Sequence, residues 1–223
     1  MFVKMLTKVK QLIDNYGLPQ FKNRIKDTND VNKYIKSYHP HSFILTNKQS
    51  KLPKMSPPKY TILGDEMKII LTGRETFDKP ISTIGINKII LDLRNHIGGS
   101  LQDAISILQQ IYGDTTLFKS CNKWYSLKNG ERINERTSNE LAFQGIILVL
   151  VSNKTASTGE IIALTFVGRK NSLVVGQPTA GYLSMNNYYE IDSKHILNLT
   201  ISLFSDINDV EYTSEKIIPI NYI

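Results

Sequence analysis

The residues Asn153-Lys154-Thr155-Ala156-Ser157-Thr158-Gly159-Glu160 sit at a junction. Before them runs Gly145 to Ser152 (GIILVLVS), which reads as a strand buried on both faces. After them Thr158 to Val167 reads as a helix. A serine at such a corner holds its hydroxyl near free backbone N–H groups and the positive end of a helix dipole. That environment favours developing negative charge and suits a nucleophile whose acyl intermediate passes through an oxyanion. The same position also suits a plain helix N-cap, for which Thr155 and Ser157 are both candidates.

A second junction is Asp92-Leu93-Arg94-Asn95-His96-Ile97-Gly98-Gly99. It follows the apolar run Lys88 to Leu93 and precedes Leu101 to Tyr112, which has helical spacing. Paired glycines let backbone amides approach a ligand or another loop and could supply oxyanion donors; they also suit a tight turn with positive φ. Asp92 and Arg94, polar at the end of a buried strand, are expected to bond to backbone or to pair. Serine chemistry needs a base, and the chain has four histidines: His39, His41, His96 and His195. His195 falls in an expected exposed hairpin connection, His39 and His41 flank Pro40, and His96 lies in the glycine turn.

The elements that must hold these groups alternate. An amphipathic helix is predicted over Phe2 to Tyr16, stopped by Gly17, and a shorter one after an Asp30 cap. The segment His39 to Leu45 reads as a turn entering a strand, and the proline- and lysine-rich Lys48 to Lys59 as an exposed connection. Tyr60–Leu63 and Met67–Leu71 read as strands about a Gly64-Asp65 turn. Ser172–Gly176 reads as a further buried strand, Tyr188–Ile191 and Ile196–Leu203 as an antiparallel pair, and Ile217–Ile223 as an edge strand or cover. Strands alternating with helices give an α/β fold.

With 223 residues, 41% of them apolar, the chain can bury a sizeable core. The net charge of +7 comes from scattered lysines and arginines with no long basic run or basic–aromatic stripe, so no nucleic-acid partner is expected. A single cysteine, Cys121, makes no internal disulfide, and no Cys/His cluster suggests zinc. The N-terminus lacks the uninterrupted apolar stretch of a signal peptide, and no window is long enough to span a bilayer. The chain as it stands is therefore expected to be cytoplasmic.

The ordered set DLRNHIGG, TASTGEI and VVGQPTAG resembles the C-terminal-processing (tail-specific) protease family, whose members carry a DLRxNxGG turn, a [ST]ASxxE turn and a VVGxxTxG segment in that order. The resemblance covers the chain from about Ile35 onward. It implies an α/β, ClpP/crotonase-like core with a mixed β-sheet and flanking helices, residues 48–223, after a small helical N-terminal segment, residues 1–47, that carries the base. It implies no metal or organic cofactor. The gap before DLR is too short for the PDZ domain that many members insert. Many members use a Ser-Lys dyad, but Tyr182 stands where that lysine is expected. Another branch, which includes nisin-resistance-like and tricorn-like members, pairs serine with an upstream histidine before a Ser/Thr-Phe segment. His41-Ser42-Phe43 is similar to that segment.

By this resemblance Ser157 is the nucleophile and His41 the general base. The oxyanion donors are amides of Gly98 or Gly99 and of Thr158. His96, in place of the family's asparagine, is a rival base. Glu211 and Glu215 are candidates for a carboxylate that orients the histidine, and Glu160 is expected to support the turn or the helix start. The implied function is a serine-type peptidase acting on a peptide or protein through an acyl-enzyme, with extended substrates bound by strand addition. The alternative is a non-catalytic module on the same fold that binds a peptide or a hydrophobic ligand.

Overall fold

A computed structural model describes residues 2–46, 56–76, 81–99, 101–111, 116–120, 123–126, 132–133, 143–212 and 216–217. In chain order the elements are α1 (Phe2–Tyr16), α2 (Pro19–Lys22), α3 (Val31–Tyr38), β1 (Phe43–Thr46), β2 (Lys59–Leu63), β3 (Glu66–Ile70) and β4 (Lys88–Asp92). There follow α4 (Leu101–Ile111), β5 (Thr116–Ser120), β6 (Lys123–Ser126), β7 (Arg132–Ile133), β8 (Ile146–Val151), α5 (Thr158–Leu164), β9 (Ser172–Gly176), β10 (Ser184–Asp192) and β11 (His195–Ser205). Cys121, Glu215, residues 48–55 of the expected connection and residues 218–223 of the expected C-terminal cover lie outside the described residues.

The chain forms two compact units, Met1–Leu52 with Ser184–Ser202, and Pro53–Leu183 with Leu203–Ile223. The first thus takes in the N-terminal segment expected over 1–47 and adds a stretch from far downstream. The cause is strand pairing, because β1 runs antiparallel to β11, with Phe43 opposite Asn198 and Thr46 opposite His195. Val9 and Ile13 on the apolar stripe of α1 are fully buried. The helix ends at Gly17, whose N–H reaches Ile13 O at 2.8 Å. Asp30 caps α3 by accepting from Asn32 N and Lys33 N. Buried Tyr38 then fixes the end of α3: its hydroxyl accepts from Leu18 N and donates to Thr200 O, both at 2.7 Å. Burial pushes that phenol up to about 12.

The second unit carries a five-stranded sheet in the order β2-β3-β4-β8-β9. β3, β4, β8 and β9 are parallel, and β2 folds back antiparallel on β3 as a hairpin about Gly64-Asp65. Met67, Ile69, Ile89, Leu91, Ile147, Val149 and Val151 are buried along these strands, and Ile107, Leu108 and Ile111 of α4 and Ile162 and Leu164 of α5 are buried as well. Each such side chain contributes about 1.5–3 kcal/mol of apolar transfer. The architecture is the expected mixed α/β one. β5, β6 and β7 form an antiparallel set, and β5 pairs with the last residues of β11, Phe204 and Ser205. Among the described residues, no helix is long and apolar enough to cross a membrane.

In open sheets of this kind, sites form at the carboxyl ends of parallel strands. All three sequence motifs lie there, in the turns after β4, β8 and β9, with a fourth turn, Leu71–Thr76, after β3.

Candidate active site

The turn after β8 is fastened to the turn after β4. Thr155 Oγ1 donates to Leu93 O at 2.8 Å and accepts from Ser152 N at 2.9 Å. Ser152 Oγ donates to Arg94 O at 2.6 Å, and Ala156 N donates to His96 O at 2.9 Å. Thr155 is therefore a strut between two strand ends, and Ser157 is the residue that opens α5.

Ser157 is not an ordinary cap. N-cap residues take extended backbone angles, whereas Ser157 has φ 55° and ψ −119°. A side-chain-bearing residue held there costs of order 1–3 kcal/mol, and such strain gathers at functional sites. A strained strand-to-helix corner is how a nucleophilic serine is thrust out of the backbone path.

Glu160 helps hold this corner. It is fully buried, and its carboxylate accepts from Ser157 N at 2.9 Å, Thr179 Oγ1 at 2.5 Å, Gly181 N at 2.8 Å and Tyr182 N at 2.7 Å. Burial pushes its carboxyl up, while the four donors act the other way. Ala180 N also donates to Thr155 O at 2.9 Å. The third motif thus closes on the second through one side chain and one backbone bond. Tyr182, in the place expected for a dyad lysine, is half exposed.

The glycine turn lies against the serine. A Cβ at Gly98, where φ is +110°, would sit 3.2 Å from Ser157 Cβ and 3.7 Å from Ser157 Oγ. Gly98 N donates to His96 Nδ1 at 3.3 Å. Among the described residues, Gly99 N and Thr158 N make no hydrogen bond, and the buried Thr158 Oγ1 is unpartnered. Asp92 holds the start of the turn with a two-pronged pair to Arg94, at 2.8 and 2.6 Å, and with Lys68 at 3.3 Å. Arg94 holds that carboxyl below the usual carboxylate range.

His96 is buried, and its ring packs on α5 so closely that a Cβ at Gly159 would lie 2.7 Å from His96 Nδ1. Among the described residues, no hydrogen bond joins this ring to Ser157 Oγ. Because backbone atoms of the turn stand behind the ring, Gly159→Ala should destabilise the fold by about 1–3 kcal/mol, read as a lowered midpoint in urea unfolding.

Glu75 was not singled out from sequence. It is buried after β3, and its carboxylate accepts from Thr72 N, Thr72 Oγ1, Gly73 N and Arg74 N at 2.7–3.1 Å. A carboxylate one to three residues from the N–H groups it binds was the only available signal. It matters because this turn backs the glycine turn: a Cβ at Gly73, φ +89°, would meet Gly98 O.

His39 and His41 belong to the first unit. His39 is buried; its Nδ1 lies 3.0 Å from Thr200 Oγ1 and accepts from His41 N at 3.3 Å. His41 is half-buried, its ring edge-on to His39 at 5.3 Å, and its carbonyl accepts from Asn198 Nδ2. His195 opens β11 and pairs through Nδ1 with Asp192 at 2.8 Å. Glu211 is exposed, and its backbone bridges Ser205. Among the described residues, no group of three or more His, Cys, Asp or Glu could hold a metal ion.

The model of peptidase family S41 matches residues 66–220, and the chain belongs to that family. The nisin-resistance protein of Lactococcus lactis subsp. lactis is 29% identical over 204 residues, covering 80% of this chain and 64% of that protein. A lipoprotein from Streptococcus agalactiae has the same fold, with a TM-score of 0.65 at 19% identity over 98% of this chain and 92% of that one. A photosystem II D1 C-terminal processing protease gives 0.55 at 16% identity, over 82% of this chain and 48% of that one.

Proposed function

We propose that the chain is a serine-type peptidase in which Ser157 attacks a peptide carbonyl and His41 serves as general base. His41 takes the Ser157 Oγ proton as the oxygen–carbon bond forms. Thr158 N–H and an amide of the glycine turn hold the oxyanion. As the intermediate collapses, the leaving amine takes the proton from the imidazole, and water then releases the acyl group by the same route. Substrates are peptides or proteins, as the names of the relatives suggest.

The observation that carries this reading is the backbone of Ser157, φ 55° and ψ −119°. A non-catalytic binding module gains nothing from a strained serine. His41 is preferred over His39 because it is half-buried rather than enclosed, and over His96 because the Nδ1 of that ring is held by Gly98 N–H.

A fluorophosphonate probe should label the wild-type chain at one site, located by peptide mass mapping to Ser157. Labelling that persists in Ser157→Ala removes the assignment.

A further inference from the structure

The usual expectation for a histidine beside a candidate nucleophile is that it acts as a base. The bonds around His96 describe a different job. Gly98 N donates to His96 Nδ1 at 3.3 Å, so that nitrogen carries a lone pair and the ring is neutral with its hydrogen on Nε2. The backbone carbonyl of the same residue accepts from Ala156 N, one residue before Ser157. The ring is wedged against Gly159, and the carbonyl of Gly98 is turned toward Gly73.

These contacts fix both peptide planes of the glycine turn. The Gly98 N–H is committed to the imidazole. The Gly98 carbonyl points at Gly73, so the Gly99 N–H in the same trans peptide points the opposite way. It is a donor of the turn with no partner among the described residues, like Thr158 N–H.

We propose that His96 is a positioning residue whose neutral Nδ1 holds the Gly98 amide and thereby commits the oxyanion site to the Gly99 and Thr158 amides. The proposal rests on Ser157 being the nucleophile. It differs from a merely structural role because an imidazole, unlike an amide, can lose its acceptor. A proton on Nδ1 turns acceptor into donor, the Gly98 N–H is expelled, and the turn loses its anchor.

The groups around the ring set where that happens. Glu75, behind the turn, favours the charged ring. Glu160, on the helix that packs on the ring, has its carboxylate bound to Ser157 N and the 179–182 segment. Arg94, on the same turn, is paired with Asp92. Burial outweighs both the Glu75 charge and a hydrogen bond from the charged ring to the residue's own backbone, and holds His96 below the ordinary imidazole value. The ring is therefore neutral at neutral pH, and its lone pair is lost as pH falls through the lowered value. The folded-state value lies below the unfolded one, so the same acidification also removes stability.

The test is the pH dependence of fluorophosphonate inactivation, which needs no known substrate. Inactivation needs the His96 Nδ1 lone pair as well as a base able to take the Ser157 proton, so the acid limb of the wild-type chain should steepen from about tenfold to about a hundredfold per pH unit. His96→Asn keeps a side-chain acceptor that cannot titrate, and its limb should stay near tenfold per unit. His96→Leu removes the acceptor and should slow inactivation about tenfold or more at every pH, with His96→Asn rescuing most of that loss.

In wild-type chain labelled with 15N-glycine, the Gly98 amide resonance should move as His96 titrates. A Gly98 resonance indifferent to pH, or identical acid limbs in wild type and His96→Asn, overturns the proposal while leaving Ser157 in place. A wild-type chain that is never labelled overturns the peptidase reading instead, and the Gly98 titration still decides the role of His96.

Discussion

Peptide hydrolysis by the Ser157→Ala chain should fall by about 10⁴-fold or more, with little change in substrate KM and none in the urea midpoint. Groups that work as a unit in acyl transfer are lost together, so removing one costs nearly as much as removing several. Ser157→Ala, His41→Ala and the double variant should therefore show nearly the same residual rate. The midpoint should hold because Ser157 is exposed and alanine is no more comfortable than serine at φ 55°. The kinetic comparison separates the candidate bases: His41→Ala should match Ser157→Ala, whereas His96→Asn should not. If His41→Ala keeps its rate and His96→Ala loses it, the base is His96 and the roles proposed for both histidines are exchanged.

The parts of this arrangement that were legible in the sequence are those with local signals. The buried runs of β4, β8 and β9, the Asp30 cap and the stop at Gly17 follow from periodicity and residue type. The family resemblance added the order of the three turns. What escaped was set by distant partners. β5, β6 and β7 carry no clean alternation, and their ladder reaches β11, with Phe204 opposite Ser120. β10 starts at Ser184 rather than Tyr188. Its first residues include Asn186, whose Oδ1 accepts from Thr200 Oγ1, a contact no local pattern announces.

The predicted helix from Thr158 to Val167 ends at Leu164, because Phe166 N and Val167 N bond three residues back instead of four and tighten the last turn toward Gly168, φ +73°. At the site, residue types were readable but their states were not. Nothing in TASTGE says that the serine has positive φ, and nothing in DLRNHIGG says that the imidazole of His96 accepts from the backbone two residues on.

Glu160→Gln is the substitution that tests how the corner is held, and its expected outcome runs against a simple reading of charge. Burial raises the Glu160 carboxyl, so a neutral isostere would seem to relieve a cost. The bonds decide otherwise. One carboxylate oxygen accepts from Thr179 Oγ1 and Gly181 N, the other from Tyr182 N and Ser157 N. Thr179 Oγ1 itself accepts from Ile217 N at 2.9 Å, so its hydrogen is committed to Glu160. Every neighbour is a donor, and glutamine can offer them only one oxygen. Its amide would face two donors whichever way it is turned, the Ser157 and Tyr182 N–H groups on one side or the Gly181 N–H and the Thr179 hydroxyl on the other. Two charge-assisted bonds are lost and buried donors are left unpaired, a net loss of about 2–4 kcal/mol even after the carboxylate's desolvation is relieved. Because one orphaned donor is Ser157 N or the segment that fastens it, fluorophosphonate labelling should slow by about tenfold or more under conditions where the chain is still folded. Glu160→Asp keeps the charge but is one methylene too short to span from α5 to both Ser157 and Tyr182, and it should recover only part of the stability. A Glu160→Gln chain with wild-type urea midpoint and labelling rate would mean that the strain at Ser157 is held by the Ala156–His96 and Ala180–Thr155 backbone bonds alone.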